Sequence, residues 1–151
     1  MKPEENLKKF SVNVPNAPDP VGSYVASKIV GGFIYISGQV SFNTDGKLVK
    51  GKIGKELSLE QGQEAAKFCA LNILAQLKKK CGSLDKVKGC VKLTGYVNSA
   101  DTFVDQPKII NGASDLISNI FEDEGKHARA AVSVNSLPLG AAVEVDGIFE
   151  L

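Results

Sequence analysis

The sequence predicts an α+β domain in which two helices pack on one face of a mixed β-sheet. Three observations predict it. Hydrophobic periodicity alternates along the chain between two and about 3.6 residues, the repeats of strand and helix. The periods come in the order β-β-α-β-α-β-β, an arrangement that buries helices against one side of a sheet. The chain has 151 residues, 43% hydrophobic and 23% charged, enough for one core, because a domain of this size buries roughly two-thirds of its unfolded surface. Residues 1–151 are therefore expected to form a single domain.

Residues 1–20 read as an extended lead-in, since Pro15, Pro18 and Pro20 fix φ and remove backbone donors. Tyr24 to Val30, Gly31-Gly32 and Phe33 to Ser37 read as a hairpin, the glycines supplying the positive φ of a tight turn. Asn43-Thr44-Asp45-Gly46 is a turn, and the glycine- and lysine-rich stretch from Gly46 to Lys55 a loop. A long helix begins at Ser58, which stands with Gln61 at the spacing of a capping box. Its buried stripe is Ala66, Cys69, Ala70, Ile73, Leu74 and Leu77, and Gly82 is its stop. Val87 to Asn98 alternates as a half-buried strand. A second helix starts near Asp105-Gln106-Pro107, with proline tolerated in its first turn; its stripe is Ile109, Ile110, Ala113, Leu116, Ile117 and Ile120. Two strands close the chain, Ala128 to Val134 and Ala142 to Phe149.

Eighteen basic and seventeen acidic side chains leave a formal charge of +1, so no global field holds a polyanion. The nearest basic cluster is Lys78-Lys79-Lys80 with Lys86 and Lys88. It sits where lysines complement a helix dipole, and no aromatic residues interleave to stack bases, so no nucleic-acid partner is expected. Cys69, Cys81 and Cys90 are odd in number and lack metal-ligand spacing, which indicates neither a disulfide framework nor zinc. The start of the chain lacks the apolar stretch of a signal peptide, and no run approaches the roughly 18 apolar residues that span a membrane. A cytoplasmic location is expected.

Chemistry concentrates on the last two strands. If they form an antiparallel hairpin turning within residues 135–140, Arg129 faces Glu144, or faces Asp146 with Glu144 one diagonal step away on the same side. A register shifted by one residue would separate them. Arginine grips a carboxylate with a planar fork, and its neighbours Ala128, Ala130 and Ala131 leave room for a ligand. A carboxylate nearby could orient or deprotonate water. By spacing alone a structural cross-strand ion pair is the favoured reading of the two. Ser37 with Gly38 ends a strand, where a hydroxyl and backbone N–H groups could meet a ligand or form an ordinary turn. Tyr24 reads as a core aromatic with its hydroxyl at the rim, and Asn111 as a helix-surface residue. His127, the only histidine, has no metal-ligand spacing and no evident serine partner, so it reads as exposed.

Gly22-Ser23-Tyr24, Ile36-Ser37-Gly38-Gln39, His127-Ala128-Arg129 and Leu137-Pro138 through Val143-Glu144-Val145 together resemble, in order and spacing, the Rid family of reactive-intermediate imine deaminases, the YjgF-like proteins. The resemblance spans residues 15 to 151. It implies a chorismate-mutase-like fold, a homotrimer with three clefts between subunits, and hydrolysis of 2-imino acids to 2-keto acids and ammonia without metal or organic cofactor. It implies further that Arg129 holds the substrate carboxylate and Glu144 positions the attacking water. Tyr24, Ser37 and Gly38 would line the cleft, with Asn111 contributing from the second helix. The chain departs from the pattern at Ala131, where imine deaminases commonly carry a cysteine, and in a longer segment from Ser41 to Leu57. It thus resembles a divergent branch, and a non-catalytic module binding small keto acids is the alternative reading.

Overall fold

The computed structural model describes residues 1–151. Eight main elements follow one another: α1 (Pro3–Lys9), β1 (Ser27–Val30), β2 (Phe33–Val40), α2 (Leu59–Cys81), β3 (Gly89–Asn98), α3 (Gln106–Phe121), β4 (Ala128–Val134) and β5 (Val143–Glu150). From β1 onward this is the expected order. The extended lead-in, however, does not hold over residues 3–9. Pro3 opens a helix whose first turn carries Glu4 and Glu5 and whose last turn carries Lys8 and Lys9, the charge order that complements a helix dipole. The Glu4 carboxylate ties it down, accepting from the Leu84 amide at 3.0 Å and from Lys78 Nζ at 3.1 Å. No regular element forms between Val12 and Pro20.

Local signals are realised closely. Ser58 Oγ accepts from the Gln61 amide at 3.1 Å while the Ser58 amide donates to Gln61 Oε1 at 2.8 Å, closing the capping box. Gly31 and Gly32 have φ of 55° and 84°, both positive as a tight right-twisting hairpin requires. All six predicted stripe residues of α2 and all six of α3 are buried.

The five strands form one sheet in the order β1-β2-β5-β3-β4. This corrects the expected terminal hairpin. β4 runs parallel to β3, with Arg129 beside Leu93, and β5 is antiparallel to both β2 and β3. The cause is the intervening helix: a strand, helix and strand in succession return parallel in the same sheet. β5 then takes the centre, where Val143, Val145 and Phe149 bury fully under the helices. β4 is left at an edge, with none of its residues fully buried. Helices α2 and α3 cover one face, and α1 packs against α3. On the other face Phe33, Tyr35 and Val132 remain 37%, 46% and 44% exposed.

Candidate functional site

Alternation along β5 sends Val143, Val145 and Phe149 to the helices and Glu144 to the uncovered face, beside Asp146. On the neighbouring strand Tyr96 stands next to Glu144 and donates its hydroxyl to Asp146 Oδ2 at 3.0 Å. Glu144 itself makes no hydrogen bond and no ion pair within the chain. Burial pushes its pKa up, and the negative charge of Asp146 adds to the rise, because both disfavour a second localised charge.

A cleft of about 530 Å³ opens in front of this carboxylate. Tyr24, Gly38, Val40, Phe42, Pro138 and Leu139 are among its walls. Gly38 lies at an irregularity of β2 where pairing with β5 shifts between Ile36 and Gln39. A Cβ at Gly38 would overlap Glu144 Oε2, so the absence of a side chain here is what lets the carboxylate lie against the backbone. Tyr24 is half exposed and its hydroxyl accepts from the Val21 amide at 3.4 Å. Ser37 is different. Its hydroxyl donates to Val25 O at 2.7 Å, fastening the chain before β1 to β2, and it does not line the cleft. Sequence reasoning missed Gln76 and Leu139. Gln76 donates from α2 to Gln39 Oε1 and Pro18 O, while Leu139 holds φ of 61°, a left-handed conformation that costs a residue with a Cβ roughly 1–2 kcal/mol.

Arg129 lies elsewhere. Its register partner Leu93 is fully buried beneath the helices, so Arg129 starts from the helix-bearing side of the edge strand. Its Nη1 donates to Asn111 Oδ1 at 2.8 Å and Ser114 Oγ at 3.1 Å, and its Nη2 to Pro107 O at 3.3 Å. Asn111 therefore joins Arg129 and remains exposed. Two strand spacings, about 10 Å, and the thickness of the sheet separate Arg129 from Glu144 of the same chain. The cross-strand ion pair is thereby overturned. His127 also departs from expectation: it is half-buried, and its Nε2 meets Ser114 Oγ at 2.9 Å.

The site residues thus fall into two groups. Tyr24, Gly38 and Glu144 line one cleft, and Arg129, Asn111, Ser114 and His127 form a hydrogen-bonded cluster on the sheet edge. No group of three or more His, Cys, Asp or Glu side chains gathers as metal ligands, and no helix is long and apolar enough to cross a membrane.

Residues 4–151 match the family described as "YjgF/chorismate_mutase-like, putative endoribonuclease", and the chain belongs to that family. It is 44% identical over 147 residues to Protein TCP17 of Trypanosoma cruzi, covering 97% of this chain and 92% of that one. A crystal structure described as an endoribonuclease of the same uncertain kind, from Shewanella oneidensis, superposes with a TM-score of 0.95 at 32% identity over 100% of both chains. The 2-iminobutanoate/2-iminopropanoate deaminase of Dermatophagoides farinae is 29% identical, covering 93% of this chain and 94% of that one.

Proposed function

We propose that the protein hydrolyses small 2-imino acids to 2-keto acids and ammonia, in a cleft completed when a second copy brings its Arg129 toward Glu144. One observation carries the reading. Glu144 is a partly buried carboxylate with no partner in its own chain and a raised pKa, facing a cleft of metabolite size. A carboxylate so placed can take a proton from water and return it.

The reaction needs little more. The substrate carboxylate pairs with the Arg129 fork, which fixes the imine carbon. Water adds to that carbon as Glu144 accepts its proton. For an imine that arrives protonated this gives a neutral carbinolamine. Glu144 delivers its proton to that nitrogen, the C–N bond breaks as the hydroxyl oxygen becomes the carbonyl and passes its proton back to Glu144, and ammonia, the keto acid and that proton leave. A relative named as an imine deaminase supports this chemistry.

The same geometry supports assembly. Within one chain the arginine and the carboxylate lie on opposite sides of the sheet, so a site using both requires two copies. The uncovered face with Phe33, Tyr35 and Val132 is the kind of apolar surface that closes between subunits, and the family resemblance makes the number three.

A near-neutral chain without a stacking platform argues against ribonuclease action. The alternative, a keto-acid-binding module without turnover, is favoured by Ala131, which puts no thiol beside Arg129. One assay separates them. Purified protein should accelerate loss of 2-aminoacrylate or 2-iminobutyrate generated in situ by a dehydratase, and Arg129→Ala should abolish the effect. Binding of 2-ketobutyrate without acceleration would sink the enzyme and keep the module.

A further inference from the structure

We propose that Ser114 and His127 are positioning residues that aim the Arg129 guanidinium at a ligand carboxylate. The inference rests on the reading of Arg129 as a carboxylate anchor.

The cluster has a direction set by one atom. His127 Nδ1 lies 2.6 Å from the carbonyl oxygen of Gly125, which can only accept, so Nδ1 carries a proton. In the neutral ring Nε2 then offers a lone pair. Ser114 Oγ, 2.9 Å away, donates its single hydrogen there. With its proton committed to the ring, Ser114 Oγ can act toward Arg129 only as an acceptor, and it takes an N–H from Nη1 at 3.1 Å. The chain of bonds runs from guanidinium to hydroxyl to imidazole to backbone carbonyl.

This direction matters for what Arg129 has left. Of the five N–H donors of a guanidinium, three go to α3: two from Nη1 to Asn111 and Ser114, and one from Nη2 to Pro107 O. The remaining two are Nε–H and one hydrogen of Nη2. All three partners are neutral oxygens, so they orient the group without cancelling its charge. A carboxylate reaching it meets a full positive charge on a side chain whose rotamers are already restricted, which removes much of the ordering cost of binding. Spacing supports a joint role: Asn111 and Ser114 are three apart on α3, and His127 and Arg129 two apart entering β4, so each pair presents to the same side.

The single histidine makes the test clean. In protein labelled with ¹⁵N-histidine, long-range ¹H–¹⁵N NMR reports which ring nitrogen bears hydrogen, independently of any activity. The neutral ring should be the Nδ1–H form; an Nε2–H ring overturns the inference. Calorimetry with 2-ketobutyrate supplies the second reading. Ser114→Ala and His127→Ala should each raise Kd about tenfold, the scale of one lost charge-assisted hydrogen bond. Ser114→Thr and His127→Gln, which keep an acceptor for Arg129 and a partner for Ser114, should restore most of it. In turnover the loss should fall on KM rather than kcat. Unchanged Kd in both alanine variants overturns the inference alone. Failure of the unaltered protein to bind 2-ketobutyrate overturns the reading of Arg129 itself, and the positioning role with it.

Discussion

Arg129 and Glu144, charged residues on opposite sides of the sheet, are held in opposite ways. Three neutral oxygens of α3 grip the arginine, whereas nothing in the chain hydrogen-bonds the glutamate, and burial opposes its ionisation. The arginine is oriented by partners that carry no opposing charge. The glutamate is destabilised in its charged form and gains from anything that shares or removes that charge. Had the two been cross-strand partners, each would have neutralised the other. Their separation onto opposite sides of one sheet leaves both free to act on a third group.

The comparison breaks most visibly in mixed oligomers. Arg129→Ala and Glu144→Gln should each lower kcat/KM by about 10³, the scale of losing a positioned acid–base group or a carboxylate anchor. Co-assembly of the two variants should recover activity, because a cleft taking arginine from one subunit and glutamate from the other is intact. Random mixing of equal amounts restores about a quarter of the clefts, since each must draw the right subunit twice. Turnover by mixed oligomers that stays at the level of the parent variants would show that both residues serve from one chain or not at all.

Gly38→Ala is the next test and acts on the glutamate side only. Gly38 is absent from the glycines with positive φ, so its backbone tolerates alanine. The added Cβ would overlap Glu144 Oε2 and displace the carboxylate. A fall in kcat of roughly tenfold with little change in KM is expected, because a small misplacement of a catalytic group is costly while the anchor lies elsewhere. A rise in KM matching that of an arginine variant would mean that the two halves are not functionally distinct.

What the sequence disclosed was mainly local. The capping box at Ser58 and Gln61, the Gly31-Gly32 turn and both helical stripes depend on neighbours a few residues away, and each is realised. Strand order depends on pairing across most of the chain, and a hairpin assumption misplaced β5. A sufficient signal was present, since a helix between β3 and β4 already implies a parallel return. The α1 helix was legible in Pro3, Glu4, Glu5, Lys8 and Lys9 but was masked by the prolines that follow. At the site, Glu144, Gly38 and Tyr24 line one cleft, and Arg129 meets Asn111. Ser37 does not converge, because its hydroxyl is spent on Val25 O. Ser114 escaped notice because helical spacing places it beside Asn111 but cannot say that His127 faces it.

The smallest expected effect is on stability, and its sign is specific to the glutamate. Glu144 has a folded-state pKa above its ordinary value of 4.5, through burial first and Asp146 second. Between 4.5 and the raised pKa the folded state holds a proton that the unfolded state has released. Stability from this group is therefore fully present below 4.5 and is lost as pH rises through the folded pKa. Glu144→Gln removes the penalty, so it should raise Tm by about 2 °C at pH 7, a fraction of a kcal/mol for a domain of this size, and by nothing measurable near pH 4. Glu4 should behave inversely. Burial opposes its ionisation, but the Leu84 amide and Lys78 outweigh it and hold its pKa down, so its contribution is present at neutral pH and lost as pH falls through the lowered pKa. A Glu144→Gln variant less stable at pH 7 than the parent would mean that the carboxylate holds the fold together. A site that conserves an unfavourable charge for chemistry predicts the opposite, a gain in stability bought by a loss of turnover.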